Sequence, residues 1–412
     1  MNSAGSLRST KSAIRAAGFA AALLLASASL AAPFEDIVRK AARDNGFAPA
    51  KTTHVSTDPA LVAAGRILFE SKSLSLNGQI ACQTCHLTEF GSADGIPNAV
   101  AVGGEGKGTA RIMTEGGILP RNTLPFWGRG GQGFNVFFWD GKIDFSAVVP
   151  ISQFGDTVPS DDPLVTAVHL PPVEIREMLA EDDLVRANKR EDIGSAQTLY
   201  RAIAAQVAER ESEALANIAA ARGKEPGDVE FGDIALALAS FIRAEFRLRP
   251  TRFHKFVFSD GDLTDQELRG AQLFYGKGKC ANCHSGPYMS DFGFHAIAMP
   301  QLGFGKNGFG IDYGRFNVTH DPEDLYKFRT PPLLNAEKTA PYGHSGSMAT
   351  LEEAIVAHFD PLHQFDPASL TSLDRHEFFK RLAASADSGL LMGYLDDAEV
   401  EALVGFLKTL SF

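Results

Sequence analysis

Cys82-Gln83-Thr84-Cys85-His86 and, far along the same chain, Cys280-Ala281-Asn282-Cys283-His284 hold all four cysteines of a 412-residue sequence. Each pentapeptide follows the same lead. Gly65-Arg66-Ile67-Leu68-Phe69 stands before the first, and Gly270-Ala271-Gln272-Leu273-Phe274 before the second. Both leads sit behind helix start signals. Asp58 with Pro59 offers an N-cap and a proline at the first helical position, and Thr264 with Glu267 offers a capping box. One supersecondary unit used twice predicts two related domains.

The spacing within each pentapeptide carries chemistry. Two thiols three residues apart can each form a thioether to one porphyrin, which puts the adjacent His under the iron. Three other readings fit less well. Two structural disulfides would not require a His after each second Cys. A four-cysteine zinc site keeps its pairs roughly 15–20 residues apart, unlike Cys85 and Cys280. A thioredoxin-like pair needs no His and is typically single. The sequence therefore predicts two covalent haem c groups, on Cys82, Cys85 and His86 and on Cys280, Cys283 and His284.

Working outward, Arg8, Lys11 and Arg15 precede an apolar run from Ala16 to Leu30 and small residues near Ala31. That is the layout of an export signal over residues 1–31, so a soluble periplasmic protein is expected, with no membrane span after cleavage. Composition agrees with a globular chain: 44% hydrophobic and 22% charged, too long for one compact core. A net charge of −11 argues against nucleic acid as a partner, because phosphate contacts demand clustered Lys and Arg. Helical patterns cover 162–183, 193–222 and 230–247, the last stopping before Pro250. A further capped helix follows Asp396, with Val400, Leu403, Val404 and Leu407 at helical spacing. Residues 87–135 contain twelve glycines and read as a long turn-rich loop. Its Gly104-Glu105-Gly106-Lys107-Gly108 lacks the Ser or Thr of a phosphate-binding loop. The expected fold is mainly α: two cytochrome c-like helical domains, 32–249 and 250–412, each with one haem and long irregular loops. The last helix is free to pack back on the N-terminal domain.

With these features the sequence resembles the bacterial di-haem cytochrome c peroxidase family, which includes the MauG-type protein-modifying enzymes. Beyond the two pentapeptides and their leads, the resemblance rests on Pro120-Arg-Asn-Thr123, Phe138-Trp-Asp-Gly-Lys142, Cys280 to Pro287, Phe328-Arg-Thr-Pro-Pro332 and Thr339-Ala-Pro-Tyr-Gly-His-Ser-Gly346. It implies a peroxidatic haem on the first motif and an electron-transfer haem on the second. It implies Trp139 as an aromatic bridge between them, and a calcium site from Asn122 with the carbonyls of Thr339 and Pro341. A homodimer is compatible with the family.

Three departures from the family pattern bear on function. First, no His stands between His86 and His169, so the blocking His of many family peroxidases is missing. The first haem is expected to have an open or water-filled sixth position, with Glu105 as the nearest substitute and a Met113 thioether as the competing possibility. Second, the family's acid–base Glu lies six residues after a proline. From Pro150 that offset reaches Asp156, the candidate for proton transfer at peroxide, with Glu105 as the alternative. Third, the distal ligand of the second haem falls at His358, seventeen residues beyond Pro341, where the family has Met or Tyr. A bis-histidine second haem, His284/His358, is expected, with Met348 or His363 as alternatives.

The leading functional reading is an exported peroxidase. Hydrogen peroxide is reduced at the first haem, with electrons delivered through the second from a small cytochrome c or cupredoxin. The alternatives are a MauG-like oxidase acting on Trp or Tyr of a protein substrate, and a non-catalytic di-haem electron carrier.

Overall fold

The computed structural model describes residues 34–155, 158–180, 193–363, 368–386 and 394–412. The chain is mainly helical. In order, the longer helices are α1 (34–44), α2 (Pro59–Glu70), α3 (Pro163–Val168), α4 (Ile193–Arg210), α5 (Ser212–Arg222) and α6 (Phe231–Glu245). They continue as α7 (Arg252–Phe258), α8 (Asp265–Tyr275), α9 (Leu351–Phe359), α10 (Ser372–Ala384) and α11 (Asp397–Lys408). Among the described residues the strands are two-residue pieces, the main group being the antiparallel ribbon β1 (Val136–Phe137), β2 (Ile143–Asp144) and β3 (Ile151–Ser152).

The caps follow the sequence closely. Asp58 accepts from the N–H groups of Ala60 and Leu61 at the start of α2, with Pro59 at N1. Thr264 and Glu267 form a reciprocal capping box on α8, as do Asp396 and Glu399 on α11. Such caps satisfy backbone donors that a helix start would leave bare.

The repeated glycine has a packing reason. A Cβ on Gly65 would stand 2.1 Å from the carbonyl oxygen of Ala237 on α6, and one on Gly270 would stand 2.0 Å from that of Ala402 on α11. In both halves the helix before the haem motif crosses a second helix so closely that only hydrogen fits at the crossing. The last helix thus packs on α8 in its own half, while the chain end reaches across: the Phe412 ring meets Trp127 edge-on at 4.8 Å. One continuous apolar core joins these helices.

Two helical expectations are corrected. Among the described residues of 162–183, only α3 is α-helical, because Pro171-Pro172 forms a 3-10 turn and proline cannot supply the next helical N–H. The pattern over 193–222 breaks at Glu211, at φ −125° and ψ 55°, where its carboxylate accepts from the Ser71 hydroxyl. That partner is distant in sequence, so no local pattern announces it. In the glycine-rich loop only single turns of helix form, at Thr88–Phe90 and Thr109–Ile112. Residues 1–31 and Asp156 lie outside the described residues. Among the described residues, no helix is long and apolar enough to cross a membrane.

Candidate active site

Each Cys-x-x-Cys-His stretch contains a single 3-10 turn, Cys82–Thr84 and Cys280–Asn282, reached by a short loop after its glycine-crossed helix. The following His is held in the same way in both. His86 Nδ1 lies 2.9 Å from the carbonyl of Ser92, and His284 Nδ1 lies 3.2 Å from that of Met289. A carbonyl can only accept, so Nδ1 carries the proton and Nε2 keeps its lone pair for a metal. Burial pushes the imidazole pKa values down, to about 3 for His86 and about 4 for His284. Both rings are neutral at ordinary pH, as a ligand must be. The four thiols are not paired as disulfides. Burial also pushes Cys82, Cys85 and Cys280 up to about 12, which is unlike a thiolate redox pair.

Opposite His284 stands His358 on α9. The two ring centroids are 6.4 Å apart. His358 Nδ1 is 2.6 Å from the carbonyl of Ala354, one turn back, which again leaves Nε2 free. Two imidazoles on opposite sides of one metal, each with a metal–nitrogen bond of about 2 Å, would have centroids about 6 Å apart. A cavity of about 220 Å³ lies at this pair, with Cys280, Cys283, Trp139 and Arg329 in its wall. Met348 is fully buried away from that wall and His363 is exposed, which leaves His358 as the better-placed distal group. Cys283, Asp291 and His295 also bring three ligand-type atoms together, but Cys283 belongs to the second motif, so the cluster is part of that site.

The remaining matched stretches converge here from distant parts of the chain. The Trp139 indole N–H donates to the Asn122 carbonyl at 3.0 Å. Arg121 bridges Asp140 at 2.6 Å and Asp312 at 2.9 Å, which overcomes burial and holds Asp140 far below the usual carboxylate range. Arg329 donates from Nε to the carbonyl of Phe138 at 2.9 Å. Gly141 permits the tight return from β1 to β2, since a Cβ there would lie 2.3 Å from the Phe294 ring. Asn122 Nδ2 donates to the Pro341 carbonyl at 2.6 Å, while its Oδ1 is buried without a partner.

Two buried arginines test whether haem fits. Arg129 and Arg329 are 7% and 1% exposed and have no carboxylate partner among the described residues, and burial pulls them down to about 9 and about 10. Arg129 Nε and Arg329 Nη2 are orphaned. A buried, unpaired guanidinium is costly, and the two carboxylates of a haem are the kind of group that would complete it. The Arg129 charge reaches His86, and Arg329 lines the second cavity. The residues fit the cofactor.

Two family-pattern candidates on the glycine-rich loop face solvent. Glu105 is exposed on the glycine-rich loop, and Met113 is 87% exposed. The structure instead supplies Glu177, which the sequence reading did not single out. Burial raises its carboxyl to about 7, with Lys142 opposing and Glu174 reinforcing the shift. Its charge also acts on both first-motif thiols. The sequence signal was faint: a carboxylate just after the Pro171-Pro172 break and beside Met178 and Leu179, both of which are buried.

The comparisons with known proteins agree with this geometry. The family model for di-haem cytochrome c peroxidase matches residues 59–262. The chain belongs to the di-haem cytochrome c peroxidase and MauG family. Among relatives in the family, cytochrome-c peroxidase IdrP1 of a Pseudomonas species is 25% identical, covering 94% of this chain and 92% of its own. Methylamine utilization protein MauG of Methylorubrum extorquens is 27% identical, covering 73% and 69%. A solved MauG-like protein associated with microbial copper homeostasis shares the fold, with a TM-score of 0.62 at 24% identity, covering 89% of this chain and 92% of its own. Membership makes the chain a di-haem peroxidase-type oxidoreductase that uses haem c, which weighs against a non-catalytic carrier.

Proposed function

We propose that the protein is an exported, periplasmic peroxidase that holds two haems and reduces hydrogen peroxide at the first. Cys82, Cys85 and His86 would hold that haem; Cys280, Cys283 and His284, with His358 opposite, would hold the second. The division at 32–249 and 250–412 follows from this pairing. The observation that supports it most directly is the matched geometry of the two motifs, in which a backbone carbonyl fixes each His with Nε2 free.

When bound, the haems supply the redox chemistry, and the chain orients and protects it. Glu177 is our acid–base candidate: its partly buried carboxyl, raised to about 7 and acting electrostatically on both first-motif thiols, can take a proton from peroxide and return it to the leaving oxygen. Asp156 remains the alternative. Trp139, buried in the wall of the second cavity and anchored on Asn122, is suited to carry electrons between the sites. His284 and His358 keep the second site closed to small ligands, so it passes electrons rather than binding peroxide. Asn122 Oδ1, which has no partner in the structure, would join the carbonyls of Pro341 and Thr339 as the hard oxygens that calcium prefers. The acidic chain favours a basic donor, a small cytochrome c or cupredoxin.

Two measurements test the reading. Pyridine haemochrome analysis is expected to give two haems per chain. Fully ferric protein is expected to react with peroxide and to oxidise reduced cytochrome c catalytically. Reaction with peroxide but no turnover of cytochrome c would favour the protein-modifying alternative, which the lack of any His between His86 and His169 also fits.

A further inference from the structure

Beyond the second cavity, two tyrosines lead away from the proposed haem toward the surface. Tyr326 lines the cavity that holds His284 and His358 and is itself 6% exposed. Its hydroxyl donates to Glu377 Oε2 on α10 at 2.8 Å. Its backbone sits at φ +61°, a region that bulky residues rarely occupy, and its N–H donates to the Tyr313 carbonyl at 3.0 Å. The ring is therefore held in place from both sides.

Tyr313, half-buried, meets Tyr326 edge-on with centroids 5.5 Å apart. Burial pushes the Glu377 carboxyl up, but hydrogen bonds from Lys380, at 2.7 Å, and from Tyr326 bring it net below its ordinary range. Glu377 is thus an ionised acceptor facing a phenol. A buried tyrosine cannot readily become a radical cation, because an unpaired charge in the interior is costly. A carboxylate already bonded to its hydroxyl removes that obstacle. The peroxidase reading above gives neither tyrosine a part.

We propose that Tyr326 and Tyr313 form a relay that carries one oxidising equivalent from the second cavity to the surface, with Glu377 as the proton acceptor. The proposal rests on the reading that a peroxide-oxidised haem occupies this cavity. In the first step Tyr326 gives one electron to that haem. Its O–H bond breaks, the proton passes to Glu377, and a neutral phenoxyl remains. In the second step Tyr313 gives one electron to Tyr326 and its phenolic proton to water, while Glu377 returns its proton to Tyr326. The radical now lies on a half-exposed ring, where a one-electron donor at the surface, such as a phenol, can quench it.

The test uses the full-length, haem-loaded protein, freeze-quenched after mixing with hydrogen peroxide without an electron donor and read by EPR. A radical signal is expected that narrows when the protein is grown on ring-deuterated tyrosine. Y326F is expected to abolish it, and E377Q to lower it severalfold while the ferric haem spectrum stays the same. Y313F should leave the radical on Tyr326, with a longer lifetime. A signal unchanged by deuterated tyrosine overturns the relay, and that experiment needs no variant to fold. So does full radical yield in Y326F. Normal haem content and normal peroxide reactivity without any tyrosine signal count against the relay alone. A shortage of haem, or no reaction with peroxide, counts against the peroxidase reading beneath it.

Discussion

The two haem motifs are built alike and surrounded differently. Each follows a helix whose glycine lets a partner helix approach to contact, each forms one 3-10 turn, and each fixes its His by a backbone carbonyl. Across from His284 stands the imidazole of His358. Near the first motif lies the partly buried carboxyl of Glu177, and His86 instead stacks on Phe126 with centroids 3.8 Å apart. The shared parts prepare a proximal ligand. The unshared parts decide whether an iron there would be closed by a second nitrogen or left beside a proton donor.

The sharpest way to break this contrast is Glu177→Gln. Removing a positioned acid–base group typically costs about 10²-fold or more in turnover, so peroxide turnover is expected to fall by about that factor with haem content unchanged. Asp156→Asn in parallel should leave the rate near wild type; the reverse result would transfer the role to Asp156. The same variant carries a pH signature. Burial holds the Glu177 proton more tightly in the folded protein than in the unfolded chain. Folding stability therefore falls as pH rises from the ordinary carboxylate range to about 7, and the penalty persists above it. Against wild type, Glu177→Gln should raise the Tm near pH 8 and leave it almost unchanged near pH 4. A rate that climbs with pH to a plateau above about 7 would fit the same carboxylate acting as base.

Next in size are the paired substitutions Gly65→Ala and Gly270→Ala. Overpacking usually costs about 1–3 kcal/mol, and the near-equal clashes at the two crossings predict losses of similar size in thermal or denaturant unfolding. A large loss at one glycine and none at the other would refute the idea that the two motifs share one scaffold.

His358→Ala sharpens the difference at the second motif. The low-spin EPR and near-infrared features of a bis-histidine haem are expected to disappear, with the first haem's signal unaltered. Persistence of the low-spin signal would show that another group closes the second site.

The smallest effect concerns Asn122. Added calcium is expected to raise the Tm of wild type by a few degrees, of the order set by mass action on one site. It should not do so in Asn122→Ala, which lacks the orphaned Oδ1. Equal shifts in both proteins would place any bound calcium elsewhere.

Much of this could be read from the chain because the signals were local. The Cys-x-x-Cys-His spacing, the caps at Asp58, Thr264 and Asp396, and the helix-ending prolines act through residues a few positions apart, where chain geometry leaves little choice. The count from Pro341 to His358 also landed on the residue that faces His284. What stayed hidden depended on distant partners. Glu211 breaks a long helical pattern beside Ser71. Glu105 and Met113 lie in the loop where a ligand was sought, yet both face solvent. Glu177 becomes a near-neutral acid only because the fold desolvates it and sets Glu174 near it, against the opposing pull of Lys142.

By itself, then, the sequence determined which atoms could tether a porphyrin and which residues could start or stop a helix, since thioether spacing and capping are short-range matters of covalent reach. Only the tertiary structure decided what faces each motif and how strongly each buried group holds its proton. Desolvation and cross-chain contact depend on where the whole chain comes to rest, and no local pattern encodes that.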